Sequence, residues 1–477
     1  MPSPSHWTSA RVPNAASRRL FQLGLAAVVL ACVYFGYSSP LKDPFQIFLG
    51  SAMLSVSALP ALLWARDARP HFPAFEIFML TGINFYAIPM LGGQAEMFGY
   101  QPQALTDAAA AVLAFQISSV TAFLVVRGRR AQHPLLVSSL LPENILHHTQ
   151  VGLWLNTLYL CVTNFTTLIP YNLAPVLRAM FIGIGIICAF IQARLWGEGK
   201  LDHTAKLVCG FNLFAQLALF FSNLYLIGGL SLITLFLIAY VTASRRIPIL
   251  FLVLFVPLIA TLHNGKSAMR DIYWRENPQA QPTLFELPAF YEQWFALGLQ
   301  PPKYAAEKKS LTVNLLDRAA LFHMVCLTVD RIPAILPYLD GETYKDIPGQ
   351  LVPRVIWPNK PSPALSNARL AIYLGLIDEE SASSVSIAFG FIAESYANFG
   401  YLGVVVLGFV LGLSFKRLTL LGQETPQFSA LGLFLILLTA WSFQVEQVMA
   451  NWLTSLFQAT IVIVGLPMVA SRLLGWR

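Results

Sequence analysis

The chain is punctuated by apolar runs of roughly 20 residues, the length needed to cross about 30 Å of hydrocarbon, and nothing else constrains its fold as strongly. In a bilayer every backbone N–H and C=O must be satisfied within the chain, so such runs become helices. About twelve spans are expected on this length criterion, over 20–37, 45–65, 73–91, 105–126, 151–169, 176–194, 206–222, 226–243, 247–263, 387–414, 427–445 and 453–470. Composition agrees: mean hydropathy is +0.61, and only 12% of residues are charged, against about 25% in soluble domains. The expected fold class is therefore an all-α polytopic membrane protein. The first run lacks the small-residue cleavage site of a secretory signal and is followed by more spans, so it is expected to stay as an anchor.

The formal net charge of +7 would suit nucleic acid in a soluble protein, but a polytopic chain gathers Lys and Arg on its cytoplasmic loops, and no nucleic-acid partner is implied. With the N-terminus inside, Arg18, Arg19, Arg66, Arg127, Arg129, Arg130, Arg194, Lys200, Arg245, Arg246, Lys416 and Arg417 all fall on the inner side. The short outer connections hold only Lys42 and Arg178. This bias predicts both termini in the cytoplasm. It divides the chain into a membrane bundle over 1–263, a long outer loop or cap over 264–386, and a second bundle over 387–477.

A connection of about 120 residues between two spans is far longer than joining them requires, and loops of that size are usually functional. Within it, HNGKSAMRDIYWREN reads as a short interfacial helix and TLFELPAFYEQWFALGL as an aromatic amphipathic helix. LLDRAALFHMVCLTVDRI reads as a third helix, and another is expected around Ser366–Gly375. The aromatics Phe285, Phe290, Tyr291, Trp294 and Phe295 suit either the membrane interface or the packing face of a small cap.

The segment LVPRVIWPNKPSPALSNARL is stiffened by Pro353, Pro358, Pro361 and Pro363, each of which fixes its own φ and biases the preceding residue to extended geometry. On that frame Arg354, Lys360 and Arg369 present cations and Trp357 a flat apolar face. Guanidinium and ammonium groups suit a diphosphate, and an indole suits the C–H face of a sugar. Together they fit a lipid diphosphate carrying a glycan. The alternative is a cap stapled to the bilayer by Trp357 with its cations on headgroups.

Two further clusters lie near the same boundary. Lys266 and Arg270 are four apart, so a helix sets both on one face where the ninth span ends. In FGFIAESYANFGYLG, Glu394 and Asn398 are likewise four apart, with Gly400 and Gly403 permitting close packing. A carboxylate within an apolar span is costly and a candidate functional group, the alternative being an ion pair or a helix cap. Asn164, Arg178, Asn223, Gln444, Glu446, Gln447 and Asn451 fall near outer span ends, each alone best explained as an interhelical contact or a solvated end. Only Cys326 lies in the loop and the eight histidines lack ligand spacing. The acidic DGE at Asp340–Glu342 has an acid-x-acid form that suits a divalent ion but is also an ordinary Asp-Gly turn, and because the cations already supply what a metal would, neither metal nor cofactor is expected.

The order of a Gly-Lys-x-x-x-Arg-x-x-Tyr-Trp stretch, a Pro-Arg-x-x-Trp-Pro-Asn-Lys-Pro loop and ESYANFGYLGVVVLG opening the next span resembles the Wzy-type polymerases of O-antigen and exopolysaccharide repeat units. The resemblance is clearest over about Asn264–Gly412; upstream, FEIFMLTGINFYAIPML alone is similar to a family pattern. It implies a GT-C-like glycosyltransferase architecture in the bacterial inner membrane with the long loop periplasmic. It also implies undecaprenyl-diphosphate-linked oligosaccharide as substrate, contact with membrane lipids, and a chain-length-regulating co-polymerase as partner. On this resemblance Arg354, Lys360, Arg270 and Lys266 stabilise the departing diphosphate, with Arg318 and Arg331 as second choices. Glu394 takes or orients the acceptor proton, while Trp357, Tyr396, Asn398 and Glu446 contact substrate. An O-antigen ligase using the same donor, or a flippase or transporter, remains open. A transporter would place ionisable groups near the midplane and show paired halves, whereas these groups gather at one boundary.

Overall fold

A computed structural model of the chain describes residues 14–67, 72–126, 145–166, 168–169, 174–276, 282–300, 320–352, 357, 364–380, 387–422, 425–426, 428–465 and 468–469. The described residues contain helices and no β-strand. In chain order the helices are α1 (Asn14–Ser38), α2 (Pro44–Arg66), α3 (Ala74–Gly82), α4 (Ile88–Gly92), α5 (Pro102–Val125), α6 (Ile145–Phe165), α7 (Ala174–Gly197), α8 (His203–Phe221), α9 (Leu226–Ser244) and α10 (Ile249–Arg270). There follow α11 (Leu287–Leu299), α12 (Phe322–Arg331), α13 (Ile347–Gln350), α14 (Ala364–Tyr373), α15 (Gly390–Leu421), α16 (Ala430–Trp441) and α17 (Met449–Thr460). Among the described residues eight helices are long and apolar enough to cross a membrane, and α9, α16 and α17 are shorter apolar helices. The chain is thus an α-helical protein with the makings of a polytopic membrane protein.

The helices form two compact units, Met1–Leu140 with Leu316–Arg477, and Leu141–Leu315. One of the two chain boundaries between them falls inside the 264–386 segment that the sequence sets apart as one loop.

In the first unit α5 and α15 lie unusually close because α15 offers glycine where it meets α5. A Cβ on Gly412 would stand 2.2 Å from the Ser119 carbonyl oxygen, and the Ser119 hydroxyl donates to the Gly408 carbonyl at 2.9 Å. Two small residues four apart on one helix, with a serine bonding across, is the usual way apolar helices approach backbone to backbone. Aromatic packing continues the seam: Phe75 stacks on Phe123 at 4.1 Å and Phe78 on Phe415 at 5.1 Å. Asp43 starts α2 by accepting from Phe45 N–H at 2.8 Å ahead of Pro44 at the first helical position.

The third expected span is interrupted. Between α3 and α4, Ile83–Ala87 forms a π turn, a widening that releases backbone groups from the regular ladder. One released carbonyl, that of Phe85, accepts from Leu321 N–H at 2.8 Å and so anchors the chain as it enters α12.

In the second unit the helices are held by a polar ladder. Asn156 donates to Gln216 at 2.9 Å, Gln216 to Asn212 at 2.7 Å, and Thr157 to Asn212 at 3.1 Å, all buried between α6 and α8. The pairing offsets part of the cost of burying these amides, although Asn156 Oδ1 and Asn212 Nδ2 are enclosed without a partner. Helix α10 extends beyond its expected end through HNGKSAMR, so that stretch is the continuation of a span and not a separate interfacial helix. Helix α11 packs back on it: Trp294 Nε1 donates to Leu262 O at 2.7 Å and Asn264 Nδ2 to Gly298 O at 2.6 Å. Trp294 and Phe290 are buried in this contact, whereas Phe285 is 93% exposed. The aromatic stripe is chiefly the packing face of a helical hairpin.

Candidate functional site

The first turns of α15 are buried on every side, from Gly390 through Asn398. The helix then breaks: Phe399 (φ −141°, ψ 15°) and Gly400 (φ 60°, ψ −148°) leave helical geometry before it resumes. The positive φ with that ψ is open to glycine and strained for other residues. A break of this kind frees carbonyls, and the chain from Leu339 to Gly341 uses them. Leu339 N–H donates to Ala397 O at 3.0 Å and Asp340 N–H to Asn398 O at 3.2 Å.

Asn398 fastens the same contact through its side chain. Its Oδ1 accepts from Gly341 N–H at 3.0 Å, and its Nδ2 donates to Thr343 Oγ1 at 2.9 Å and to Glu394 O at 2.7 Å. The expected Asp-Gly turn is present, with Asp340 and Gly341 both at positive φ, and it docks onto the helix break. Asn398 thus holds the protein's own backbone in this structure.

Glu394 is fully buried. Its Oε2 accepts from Met449 N–H at 2.6 Å, at the amino end of α17, whose own N-cap residue Val448 supplies no side-chain cap. A carboxylate at a helix N-terminus is favoured by both the free N–H and the helix dipole. The helix-cap alternative for this residue is therefore realised for one oxygen. Its other oxygen, Oε1, is enclosed without a hydrogen-bond partner; the Thr343 hydroxyl adjoins the carboxylate without meeting hydrogen-bond geometry to Oε1.

Tyr344 extends from the docked turn, its ring stacked on Phe399 at 6.4 Å, its phenol oxygen also enclosed and without a partner. Burial first, and the Glu394 carboxylate second, push this phenol up from its ordinary value, so it stays protonated. Tyr396 is buried and meets Tyr401 edge to face at 5.4 Å. Glu446 is half-buried; its backbone carbonyl accepts from Gly390 N–H at 3.0 Å at the start of α15, and burial raises its carboxyl.

Only some of the predicted cations fall among the described residues. Arg354, Lys360 and Arg318 lie outside the described residues, as do the loop prolines from Pro353 to Pro363. Trp357 is 44% exposed and sits against Gly349, where a Cβ would come within 3.0 Å of the indole. Arg369 pairs with Asp346 at 2.6 Å, and Arg331 donates to the Leu374 carbonyl; both guanidinium groups serve the fold of this segment. Lys266 and Arg270 share α10 of the other unit, where Arg270 donates to Leu224 O at 2.9 Å and lies over the Tyr225 ring at 5.2 Å. Among the described residues no group of three His, Cys, Asp or Glu side chains is placed to hold a metal.

Glu394, Tyr396 and Asn398, read from one motif, are thus joined by Thr343 and Tyr344, and by Tyr338, whose phenol lies against Gly400 and Tyr396; sequence reasoning missed all three. The available signal was the Asp-Gly pair: it fixed a turn but not the surface on which the turn rests. The family described as Domain of unknown function (DUF8712) matches residues 150–443. No curated protein and no solved structure matches the chain.

Proposed function

The chain belongs to the DUF8712 family, and from that premise and the chemistry of the helix break we propose that it is a membrane polymerase joining undecaprenyl-diphosphate-linked oligosaccharide repeat units into a surface polysaccharide. The family description carries no activity, so the reading rests on the residues. It includes about twelve spans of the expected length, a GT-C-like arrangement, cytoplasmic termini, a periplasmic 264–386 segment and a chain-length-regulating partner.

The observation that supports it is Glu394: a carboxylate enclosed inside an apolar helix, fixed through one oxygen by Met449 N–H and with the other oxygen unengaged. A purely structural cap uses one oxygen. An intramembrane carboxylate with a spare acceptor is suited to take or orient a proton.

In the proposed reaction a hydroxyl oxygen of one lipid-linked repeat attacks the anomeric carbon of the growing chain. The bond from that carbon to the diphosphate oxygen breaks, and its electron pair leaves with undecaprenyl diphosphate. The hydroxyl proton passes to Glu394 Oε1. The transition state resembles an oxocarbenium ion with charge growing on the diphosphate, and Arg354 and Lys360 in the proline-rich segment are the proposed cations for it. Removing such a donor costs about 2–4 kcal/mol, or roughly 10²–10³ in rate.

The test is a gel of surface glycan from a deletion strain complemented with wild type, Arg354→Ala and Glu394→Gln, with membrane levels matched. Collapse of the ladder to single repeats in the deletion and both variants supports the polymerase. Lipid-linked polymer accumulating while its acceptor goes bare would make the protein a ligase, and an unchanged ladder rejects both.

A further inference from the structure

Glu394 Oε1 and Tyr344 Oη are two enclosed polar atoms without hydrogen-bond partners in the contact between one turn and one helix. The neighbouring hydroxyls do not relieve them. Thr343 Oγ1 accepts from Asn398 and adjoins the Glu394 carboxylate, and Ser395 lies near the Tyr344 phenol, but neither hydroxyl meets hydrogen-bond geometry to Oε1 or Oη. An enclosed polar atom left unpaired costs about 1–3 kcal/mol, so two on one contact call for a ligand that satisfies both.

Their chemistry is complementary. A protonated phenol offers a hydrogen, and a carboxylate oxygen accepts one. A single hydroxyl group is acceptor and donor at once and answers both needs. We propose that Tyr344 and Glu394 together bind one hydroxyl of the acceptor sugar, the phenol donating to the hydroxyl oxygen and Glu394 Oε1 receiving its hydrogen. This deepens the polymerase reading and rests on it. Tyr344 fixes the attacking oxygen and Glu394 removes its proton, which makes Tyr344 a substrate-binding residue.

The turn carrying Tyr344 meets the helix through the N–H groups of Leu339, Asp340 and Gly341 and the Asn398 amide. Parting these few bonds admits the sugar. The helix need not unfold, because its carbonyls at Ala397 and Asn398 are already outside the regular ladder at the break.

The test compares Tyr344→Phe, Glu394→Gln and Tyr373→Phe in purified full-length protein. The last removes a phenol bonded to the Pro337 carbonyl at 2.7 Å, a contact within the fold. The probe is the single-repeat lipid extracted from the deletion strain, and both elongation rate and melting temperature are read. Tyr344→Phe is expected to elongate about tenfold more slowly, the equivalent of one lost neutral hydrogen bond to the attacking hydroxyl, with melting temperature unchanged or raised. Tyr373→Phe should elongate at the wild-type rate. If Tyr344→Phe elongates normally while Glu394→Gln does not, the tyrosine assignment is overturned and the polymerase reading stands. If its rate and melting temperature fall together, the phenol is a fold contact, for example through a buried water, and the assignment is again overturned. If wild-type protein does not elongate the extracted lipid, the polymerase reading fails and the sugar-hydroxyl site falls with it.

Discussion

Glu394 on α15 caps α17 through Met449, a 2.6 Å bond between residues 55 apart in sequence. One carboxylate thereby has a structural oxygen and a free one. Glu394→Gln keeps an acceptor for Met449 N–H and is expected to melt close to wild type, while Glu394→Ala loses the cap and about 1–2 kcal/mol. Thermal unfolding in one detergent compares the two. Equal loss in both variants would mean the charge, and not the cap, holds the contact.

Gly400 is the hinge of the helix break. Its φ of 60° and a Cβ that would stand 2.8 Å from Tyr338 Oη make Gly400→Ala unfavourable twice over. A destabilisation of about 1–3 kcal/mol is expected from the backbone strain alone. Limited proteolysis should then cut the 338–346 turn sooner than in wild type.

Asn398 is a clamp with three bonds, so its variants are graded. Asn398→Asp keeps an acceptor for Gly341 N–H and loses the donors to Thr343 and Glu394 O, whereas Asn398→Ala loses all three. Each buried group left unpaired costs about 1–3 kcal/mol. Hydrogen exchange at the amides of Leu339, Asp340 and Gly341 should quicken modestly in the first variant and strongly in the second. Equal exchange in both would place the clamp in the backbone bonds alone.

Glu286 gives a pH prediction outside the spans. The Thr283 backbone N–H and then its hydroxyl hold the Glu286 carboxyl below its ordinary value, through a capping box at the start of the α11 segment. A depressed folded value means the contribution is complete above the unfolded carboxylate value and is lost as pH falls through the folded one. Protection factors for the amides at the start of α11, with the intrinsic pH dependence of exchange divided out, should therefore fall with acidification below about pH 4.5 and be insensitive to pH in Glu286→Ala.

Much of the architecture was legible from local pattern. Apolar length marked the helices because hydrocarbon accepts no unpaired backbone, and the Asp-Gly pair marked the 340–341 turn. Helix ends were less legible. Helix α10 runs on through Lys266 and Arg270 although Asn264 and Gly265 would suit a stop where its apolar run ends, because Gly265 lets α11 pack directly on that extension and favours the longer helix. The π turn at Ile83–Ala87 had no sequence mark, since its released carbonyl is satisfied by Leu321, more than 200 residues on.

The sequence by itself determined that this chain is helical and apolar enough for a membrane, and that Glu394 and Asn398 share one helix face, because spacing and hydropathy are local properties. Only the tertiary structure decided what those side chains meet. Glu394 finds an uncapped helix end, Asn398 finds a turn, and Arg331 and Arg369 are engaged within the fold instead of standing free. The physical reason is that a buried polar group must take whichever partner packing brings within about 3 Å, and that partner is set by the approach of distant elements and not by neighbours in sequence.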